Sequence, residues 1–553
     1  MPWINISLSL SLARTCGIIS LALGCTLFAE PSIRESHGNL KQLELISSET
    51  VRVGDANVRS ELRKMPNGRT IRLMYGEGKN NTAFVADEII VGLKDETKAN
   101  RALGAFAPGK LQYLNSDTIV VKLSNTAYET LTSTLEEFQK SENVRYAEKN
   151  FLVHSNLVVA GGIGAQSVPN DPSFQWHLNQ SNDADIDAYE AWPVISSAGS
   201  MKIAILDTGV RRSHEDILPN FNTNIQIDFV NDDALADDDN GHGTHVAGIA
   251  AAQGGNGLGG TGVAQDAELI AGKVLPGSGQ GGDLSDLVLG IDWAVNQGAK
   301  VINLSLGTPP GAVARPQCLA DAINNARNSK VVVVVAAGND GSNNDTAAVY
   351  PANFSTEFDN VITVAASTES DALAYFSNFG SASVNLAAPG VNIFSTFNAS
   401  NDSYISKPGT SMAAPIVAGM AALIETHFTD NNPAKTIQRI ENSVDYKSAF
   451  NGTVSSNGRA NLRRSLSLFS LKPTLAGTTG QRWGSSTIQW IDDTNAPWFW
   501  SFRIGEWFFT TSTDLESIWL FSNSNQTWYF TRSSYFPGAF KNGSVWVNLE
   551  NEF

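Results

Sequence analysis

The stretch Gly409-Thr410-Ser411-Met412-Ala413-Ala414-Pro415 leads into a run of mostly small and apolar residues, 416–424. This run predicts a closely packed, buried helix with Ser411 in its first turn. The backbone N–H groups of a first helical turn have no partners within the helix, and the helix dipole is positive there. That position suits a serine nucleophile whose reaction forms an oxyanion. It also suits a plain helix cap, so this stretch alone leaves both interpretations open.

Two further stretches favour the catalytic interpretation. The segment Lys202-Ile203-Ala204-Ile205-Leu206-Asp207 has an apolar run without alternation, as in a strand buried on both faces of a parallel sheet, and it ends in a carboxylate. The segment Asn240-Gly241-His242-Gly243-Thr244-His245 opens a second helix, rich in alanine and glycine. Asp207, His242 and Ser411 follow one another in the order of the subtilisin triad. Together with the residues around them, they resemble the subtilisin-like serine protease family over residues 169–469.

This resemblance implies a secreted serine endopeptidase that hydrolyses peptide bonds in proteins through an acyl-enzyme and is made as a self-processed, inhibited precursor. It assigns the catalytic roles to Asp207, His242 and Ser411. His242 would take the proton of Ser411 and return it to the leaving amine, while Asp207 would hold the imidazole. The alternative is an inactive scaffold whose C-terminal region binds a surface or a polysaccharide.

The resemblance also implies an oxyanion hole and a substrate cleft. Asn339 follows the apolar run 331–335 and would supply the oxyanion-hole amide. Val349 stands at the base of the primary pocket, where the family often has glycine, so we expect leucine or methionine to be preferred there over phenylalanine or tyrosine. Two extended edges would clamp a peptide as an added strand, one formed by Ser305, Leu306 and Gly307 and the other by Ala336, Ala337 and Gly338.

The segments between these motifs predict βαβ units. Apolar residues at helical spacing in 284–295 precede the strand-like segment 300–304, and a helix near 319–327 precedes the run 331–335. We therefore expect an α/β peptidase domain at 169–469, with a parallel sheet and helices on both faces. The loop 255–260 fits G-x-G-x-x-G, but it follows a helix and precedes a strand, the reverse of a dinucleotide site. No organic cofactor is expected.

Cysteine content bears on how the protein gains rigidity. The chain has three cysteines, and removal of residues 1–29 would leave Cys318 alone, so that no intramolecular disulfide could form. The resemblance implies bound calcium instead, with Asp171, Asp216 and Asn256 as ligands from separate loops. Each of these residues also fits a turn or a solvated surface. The acidic run 237–239 is open to the same two interpretations.

The N-terminal part predicts export and inhibition. Residues 1–29 combine one arginine with an apolar run, typical of a secretory signal peptide, which indicates an extracellular, periplasmic or surface-attached protein. Residues 30–83 form a polar pro-region of unclear structure. Residues 84–155 predict a small α+β domain that resembles the inhibitory propeptides of the family, with a free-standing accessory domain as the alternative. Residues 156–168 are the expected processing linker.

A linker, 470–482, precedes a tail, 483–553, that is crowded with aromatic and turn residues. Trp507, Trp528 and Trp546 recur at similar intervals, which predicts repeated antiparallel hairpins in a small all-β domain. The aromatic residues would form its core or pave a site for a carbohydrate or a cell surface. The net charge of −17 argues against a nucleic-acid partner. The expected partners are protein or peptide substrates and the chain's own propeptide.

Overall fold

The computed structural model describes residues 40, 43–53, 56–65, 67–75, 81–94, 111–155, 175–277, 281–428, 432–466, 524, 526 and the strands between 481 and 548. All of them lie in the unit Glu35–Phe553. The predicted signal peptide, the processing linker 156–168 and the candidate ligand Asp171 fall outside the described residues. No helix in the described part of the chain is both long and apolar enough to cross a bilayer.

The first part of the chain forms an antiparallel sheet with one helix. The strands are β1 (Glu44–Val53), β2 (Ala56–Lys64), β3 (Thr70–Tyr75), β4 (Asn81–Leu93), β5 (Leu111–Tyr113), β6 (Thr118–Lys122) and β7 (Val144–Ser155), and the helix is α1 (Tyr128–Lys140). β4 pairs with β3 and β6 along one edge and with β7 along the other. The α+β pattern expected from residue 84 onward is present, but the sheet already begins at Glu44.

The expected boundary between residues 83 and 84 falls inside β4, and the hairpins of β1–β3 extend the same sheet. Residues 44–83 are therefore not a separate segment. The sequence does not predict strand β1, because most of its residues are solvent-exposed on both faces. This exposure removes the alternation of polar and apolar residues that marks a strand.

The peptidase region is built on a nine-stranded sheet with the order β19-β20-β16-β15-β14-β12-β8-β10-β9, parallel except for the edge pair β19–β20. The strands of this region are β8 (Lys202–Asp207), β9 (Phe221–Asp228), β10 (Glu268–Lys273), β11 (Gly282–Asp283), β12 (Val301–Leu304), β13 (Leu306–Gly307), β14 (Val332–Ala336), β15 (Val361–Ser367), β16 (Leu386–Pro389), β17 (Ile393–Thr396), β18 (Tyr404–Lys407), β19 (Asp445–Tyr446) and β20 (Gly458–Arg459). The strands β17 and β18 form a separate hairpin.

Helices cover both faces of this sheet, as predicted. They are α2 (Ala188–Ala191), α3 (His242–Ala251), α4 (Leu284–Asn296), α5 (Gln317–Asn328), α6 (Thr410–His427), α7 (Pro433–Asn442) and α8 (Leu462–Ser465), with 3₁₀ turns at Ala352–Thr356 and Ser448–Phe450. Alternate residues of β8 enter two different cores. Ile203 and Ile205 belong to the core that contains α3 and α6, whereas Ala204 and Leu206 belong to the core that contains α4 and α5. The predicted α/β class is confirmed.

Small residues let α6 pack closely against its neighbours. A Cβ atom at Gly419 would lie 2.7 Å from the Cβ of Val263 and 2.9 Å from the backbone oxygen of Ala250. Every residue from Thr410 to Ile424 is buried. Close packing of this kind tolerates little movement, so the helix holds Ser411 in a fixed place.

The tail forms an eight-stranded antiparallel sheet in which each strand pairs with the next one along the chain. The strands are β21 (Gln481–Ser485), β22 (Gln489–Asp492), β23 (Trp498–Ser501), β24 (Glu506–Phe509), β25 (Ser517–Ser522), β26 (Thr527–Arg532), β27 (Gly538–Lys541) and β28 (Val545–Asn548). Trp507, Trp528 and Trp546 lie on β24, β26 and β28, where the sequence predicts repeated hairpins. The sheet begins at Gln481, inside the expected linker 470–482.

Candidate active site

A buried carboxylate–imidazole pair lies at the C-terminal end of β8. Asp207 is the last residue of β8, His242 is the first residue of α3, and both side chains are fully buried. His242 Nδ1 lies 2.7 Å from Asp207 Oδ1, which also accepts the N–H of Thr208 at 2.7 Å. An ionised carboxylate can only accept hydrogen bonds. Nδ1 of the neutral imidazole therefore carries the proton, and Nε2 is the basic nitrogen.

The approach of α3 to β8 depends on Gly243. A Cβ atom at this position would lie 2.1 Å from the backbone oxygen of Gly209 and 3.1 Å from the Cβ of Asp207. Any larger residue would push the helix away from the strand, and with it His242 away from Asp207. This contact explains the glycine that follows His242 in the sequence.

Ser411 lies in the first turn of α6, where a proline changes the hydrogen bonding of the helix. Pro415 has no N–H, so the carbonyl of Ser411 receives no bond from the residue four positions ahead. Ser305 takes this place, because its Oγ donates to the Ser411 carbonyl oxygen at 2.9 Å. The Oγ of Ser411 in turn donates to the carbonyl of Ser305 at 3.3 Å. Ser305 therefore holds the backbone of Ser411 in addition to being part of the expected substrate edge.

Asn339 is tied to the residue before Ser411. Its Oδ1 accepts the N–H of Thr410 at 2.9 Å and the hydroxyl of Thr410 at 3.0 Å. Because Thr410 holds the amide oxygen, the Nδ2 donor lies on the other side of the Asn339 amide group. Such a donor, next to the backbone N–H groups of a helix terminus, is of the kind that stabilises an oxyanion.

No hydrogen bond joins His242 Nε2 to Ser411 Oγ in the described part of the chain. His242 Nε2 is buried and has no hydrogen-bond partner among the residues that the structure describes. The Oγ of Ser411 is directed to Ser305 instead. Catalytic hydrogen bonds are often long or poorly aligned until a substrate is bound.

One predicted edge of the substrate cleft is covered by the end of β7. Ser155 pairs with Leu306, and His154 pairs with Gly307, in antiparallel register. The preceding residues of β7 pair with β11. The N-terminal sheet thus places its last strand along β13, as an added strand would lie.

The other predicted edge is engaged within the protein itself. Ala336 is the last residue of β14, and the carbonyl of Ala337 accepts the side-chain amides of Asn344 at 2.9 Å and Asn378 at 3.2 Å. The N–H of Gly338 donates to the hydroxyl of Thr410 at 3.2 Å. This edge is therefore joined to the first turn of α6, the turn that carries Ser411.

Val349 is fully buried and lies next to the continuation of β13. The following residue, Tyr350, donates its N–H to Thr308 Oγ1 at 2.9 Å and accepts the N–H of Thr308 at 2.8 Å. Since Thr308 follows Gly307 directly, Val349 is connected to the edge formed by Leu306 and Gly307.

The candidate calcium ligands Asp216 and Asn256 are in contact with each other. Asn256 Nδ2 donates to Asp216 Oδ1 at 2.6 Å, and Asp216 Oδ2 accepts the hydroxyl of Tyr404 at 2.8 Å and the N–H of Gly260 at 3.2 Å. Burial raises the pKa of the Asp216 carboxyl to about 6. The groups that donate hydrogen bonds to this carboxyl in the described part of the chain are neutral, and the charged group that acts on it there is the acidic Glu215.

A second acidic group, which the sequence analysis did not single out, lies near α2. Carboxylate oxygens of Asp185, Asp187 and Glu190 lie within 4.8 Å of one another. Burial, together with the charge of Asp445, raises the pKa of Asp187 to about 7. These residues come from one loop and a short helix, so the cluster arises from local folding. It is a group of carboxylates that could hold a metal ion.

The acidic run 237–239 is engaged with other parts of the protein. Asp237 pairs with Arg212, and Asp239 pairs with the buried Lys273. Asp238 has a different role, because it accepts hydrogen bonds from the loop and helix that carry His242.

Asp238 connects the two halves of the buried pair. Its Oδ1 accepts the hydroxyl of Thr208 at 2.9 Å and the N–H of Gly241 at 2.8 Å, and its Oδ2 accepts the N–H of Thr244 at 2.9 Å. Thr208 follows Asp207, and Thr244 lies in the first turn of α3. Sequence reasoning missed this positioning residue, although an aspartate shortly before a helix start is a known signal for capping.

We expect Asp238→Asn to lower kcat by about tenfold to a hundredfold, because an amide turns a donor toward groups that are themselves donors and lets α3 shift. KM should change little. Steady-state kinetics on a chromogenic peptide would measure both constants. Asp237→Asn is the matched control and should stay near wild type, since the Asp237 side chain is exposed and bonds only to Arg212 in the described structure. Activity of Asp238→Asn within twofold of wild type would contradict the positioning role.

Comparison with known proteins identifies the class. Residues 199–464 match the subtilase family model, Peptidase S8, and residues 75–150 match the fervidolysin N-terminal prodomain. Thermitase from Thermoactinomyces vulgaris is 42% identical over 293 residues, which cover 53% of this chain and 97% of thermitase. A thermophilic serine proteinase from Bacillus sp. (strain AK1) is 36% identical over 385 residues, or 68% of this chain and 87% of that protein. The minor extracellular protease Epr of Bacillus subtilis (strain 168) is 31% identical over 349 residues, or 63% and 49% of the two chains.

The parallel-sheet fold and these matches define a serine endopeptidase with an N-terminal prodomain. The chain belongs to the subtilase family. Membership confirms the family predicted from the three motifs, and it favours the enzyme over the inactive scaffold. Proteins of this family commonly bind calcium, which agrees with the presence of carboxylate groups able to hold an ion.

Proposed function

We propose that Asp207, His242 and Ser411 are the catalytic triad of this endopeptidase. The observation that carries the proposal is the buried contact of 2.7 Å between His242 Nδ1 and Asp207 Oδ1. His242 Nε2 takes the proton of Ser411 Oγ as that oxygen attacks the substrate carbonyl carbon, and passes it to the leaving amine. Asp207 fixes the tautomer and stabilises the imidazolium without taking the proton itself. Loss of peptide hydrolysis and of self-processing in Ser411→Ala tests the assignment.

The oxyanion of the tetrahedral intermediate needs donors on the side of the carbonyl oxygen. Asn339 Nδ2 and the backbone N–H groups at the start of α6 supply them, since Thr410 holds the other end of the Asn339 amide. Removal of the corresponding asparagine in subtilisin costs about 3 to 4 kcal/mol of transition-state stabilisation. We assign the same role to Asn339 on this basis.

The prodomain acts as an intramolecular inhibitor in this proposal. The pairing of β7 with Leu306 and Gly307 supports it, because a peptide substrate would need the same edge. Ser305, Ala336, Ala337 and Gly338 complete the proposed cleft. Cutting within 156–168 would free it.

Polar contacts hold the prodomain on the two helices next to the cleft. Glu148 accepts the N–H groups of Gln317 at 3.0 Å and Cys318 at 2.9 Å, at the start of α5. Asn150 Oδ1 accepts the N–H of Ser285, at the start of α4, at 3.1 Å. These side chains accept hydrogen bonds from helix N–H groups that have no partner within the helix. A negative charge at this position also interacts favourably with the positive end of the helix dipole.

Val349 is proposed to shorten the primary specificity pocket. Val349→Gly should raise the ratio of kcat/KM for phenylalanine over leucine substrates by about tenfold or more, since each methylene in such a pocket is worth about 1 to 3 kcal/mol. Paired peptides that differ only at the residue before the cleaved bond would measure the ratio. Val349→Ala should fall between the two. An unchanged ratio would place Val349 outside the pocket.

A structural calcium ion is proposed at Asp216 and Asn256, with Asp171 as a further ligand. The donor set fits a hard cation, because it offers a carboxylate and an amide oxygen on separate loops. The raised pKa of Asp216 supports it too, since ionisation of this buried carboxyl is unfavourable without a positive charge. The amide of Asn256 would have to turn its oxygen toward the ion.

Chelation should lower the melting temperature by several degrees at pH 8. Calcium at a hundredfold excess over its dissociation constant contributes about 2.7 kcal/mol of stability. In the chelated protein the raised pKa of Asp216 makes stability fall as pH rises from about 4 through about 6, because the folded state binds more protons than the unfolded state there. The calcium effect should therefore be smaller at pH 5.

Calorimetry with and without EDTA at both pH values would measure the change in melting temperature, with Asp216→Asn as the calcium-insensitive control. Equal melting temperatures with and without EDTA at pH 8 would contradict the site.

An extracellular location is proposed from the apolar run within residues 1–29. The name of the related minor extracellular protease Epr supports it. The domain limits 1–29, 156–168, 169–469 and 470–482 remain predictions from the sequence.

A further inference from the structure

The C-terminal sheet repeats one aromatic arrangement in each of its hairpins. Trp490, Trp507, Trp528 and Trp546 are each the second residue of their strand, β22, β24, β26 and β28. Each is paired across its hairpin with another aromatic residue, a tryptophan in the first two hairpins and a phenylalanine in the last two. The repeat is thus a cross-strand aromatic pair with one tryptophan on the second strand.

The register places all four pairs on the same face of the sheet. Between hairpins, Asp492 lies opposite Trp500, Phe509 opposite Phe521, and Phe530 opposite Phe540. Residues two apart on a strand share a face, and so do residues that lie opposite each other on paired strands. These pairings therefore place the aromatic pairs of neighbouring hairpins on one face of the sheet. We call this the aromatic face. Every strand contributes at least one aromatic residue to it, and no strand places leucine, isoleucine, valine or methionine there.

The side chains described on β25 and β26 show which face is buried. Leu520 and Tyr529 lie opposite each other on the face that carries the aliphatic residues, and both are 0% exposed. On the aromatic face, Trp528 is 39% exposed, and its ring centroid lies 5.2 Å from that of Phe521. At this hairpin the aliphatic face therefore supplies the core, and Trp528 on the aromatic face meets the solvent.

The spacing of the pairs fits an extended polymer. Alternate strands lie about 10 Å apart and each hairpin is shifted by two residues, or about 7 Å, so the pairs recur roughly every 12 Å along a diagonal. Asp492 and Arg532 are the charged residues that the strands place on this face. With Arg532 as its basic residue, the face lacks the cluster of lysine and arginine that draws a surface to anionic lipids. An exposed, uncharged ring such as that of Trp528 instead fits the apolar C–H face of a sugar ring, whose hydroxyl groups stay hydrated.

We propose that the aromatic face binds a neutral polysaccharide that crosses the strands, with one sugar-binding position for each hairpin. This function is separate from peptide hydrolysis and does not depend on the assignment of the triad. It would hold the protease on a glycan matrix.

The test uses the full-length chain with Ser411→Ala, so that proteolysis cannot remove the tail. The probes are microcrystalline cellulose, chitin and insoluble starch, with vesicles of phosphatidylcholine and phosphatidylglycerol as the membrane alternative. We expect retention on at least one of the polysaccharides. Trp528→Ala should weaken it about threefold to tenfold, Trp507→Ala should act in the same way, and the double substitution should combine the two losses. Trp528→Phe should keep most of the binding, which separates ring stacking from loss of folding.

Tyr446→Ala is the matched control, because Tyr446 is an aromatic residue on β19 of the peptidase sheet and is similarly exposed, at 38%. It should bind like the parent chain. Retention on none of the polysaccharides, binding to vesicles alone, or equal retention of the parent chain and the double variant would each overturn the proposal.

Discussion

Ser411→Ala is expected to lower kcat for peptide hydrolysis by about 10⁶-fold, the loss seen when the nucleophile of subtilisin is removed. The substitution takes away one oxygen and leaves the packing of α6 unchanged, because Ser411 is buried in a helix held by its neighbours on all sides. Only the donors of the oxyanion hole and the binding cleft would remain to stabilise the transition state. A chromogenic peptide assay at matched protein concentrations would measure the loss.

Ser305→Ala is the graded comparison for that experiment. It removes the hydroxyl that donates to the Ser411 carbonyl, a bond worth about 1 kcal/mol, and leaves the nucleophile itself in place. We expect a loss of about tenfold or less. If Ser411→Ala retained more than a hundredth of the wild-type rate, another residue would have to be the nucleophile.

Asp207→Asn should reduce kcat by about 10⁴-fold while leaving the fold intact. The amide can turn a donor toward His242 Nδ1, which then becomes the acceptor, so that the proton moves to Nε2 and the base is lost. The same change should slow conversion of the precursor. Quenched time courses of precursor conversion and of peptide hydrolysis would measure both rates. Asp237→Asn again serves as the control, and a loss below tenfold would mean that Asp207 does not orient His242.

The strand and helix that carry Asp207 and Ser411 could be predicted because each rests on a local pattern. The apolar run of β8 and the small-residue run of α6 both reflect burial on all sides, which a sequence shows directly. Pro415 could also have signalled that the Ser411 carbonyl needs a partner from elsewhere, which the structure identifies as Ser305. Its identity depends on how β12 passes the first turn of α6, and no local pattern records that.

Other features depend on contacts between distant segments. The run 237–239 reads as one acidic stretch, yet Asp238 bonds to Thr208 and to α3 while its two neighbours pair with separate cations. Which of three adjacent aspartates points inward is decided by the loop conformation. The pairing of Ser155 with Leu306 likewise joins residues far apart in the chain, and no local pattern records it.

Intact-mass measurement of the purified wild type and of Ser411→Ala tests whether this chain cleaves itself with Ser411. We expect a wild-type product that begins within or near 156–168 and a Ser411→Ala chain still joined across that segment. A free prodomain should accompany the wild type only. Identical processing of the two chains would contradict self-cleavage and would assign maturation to another protease.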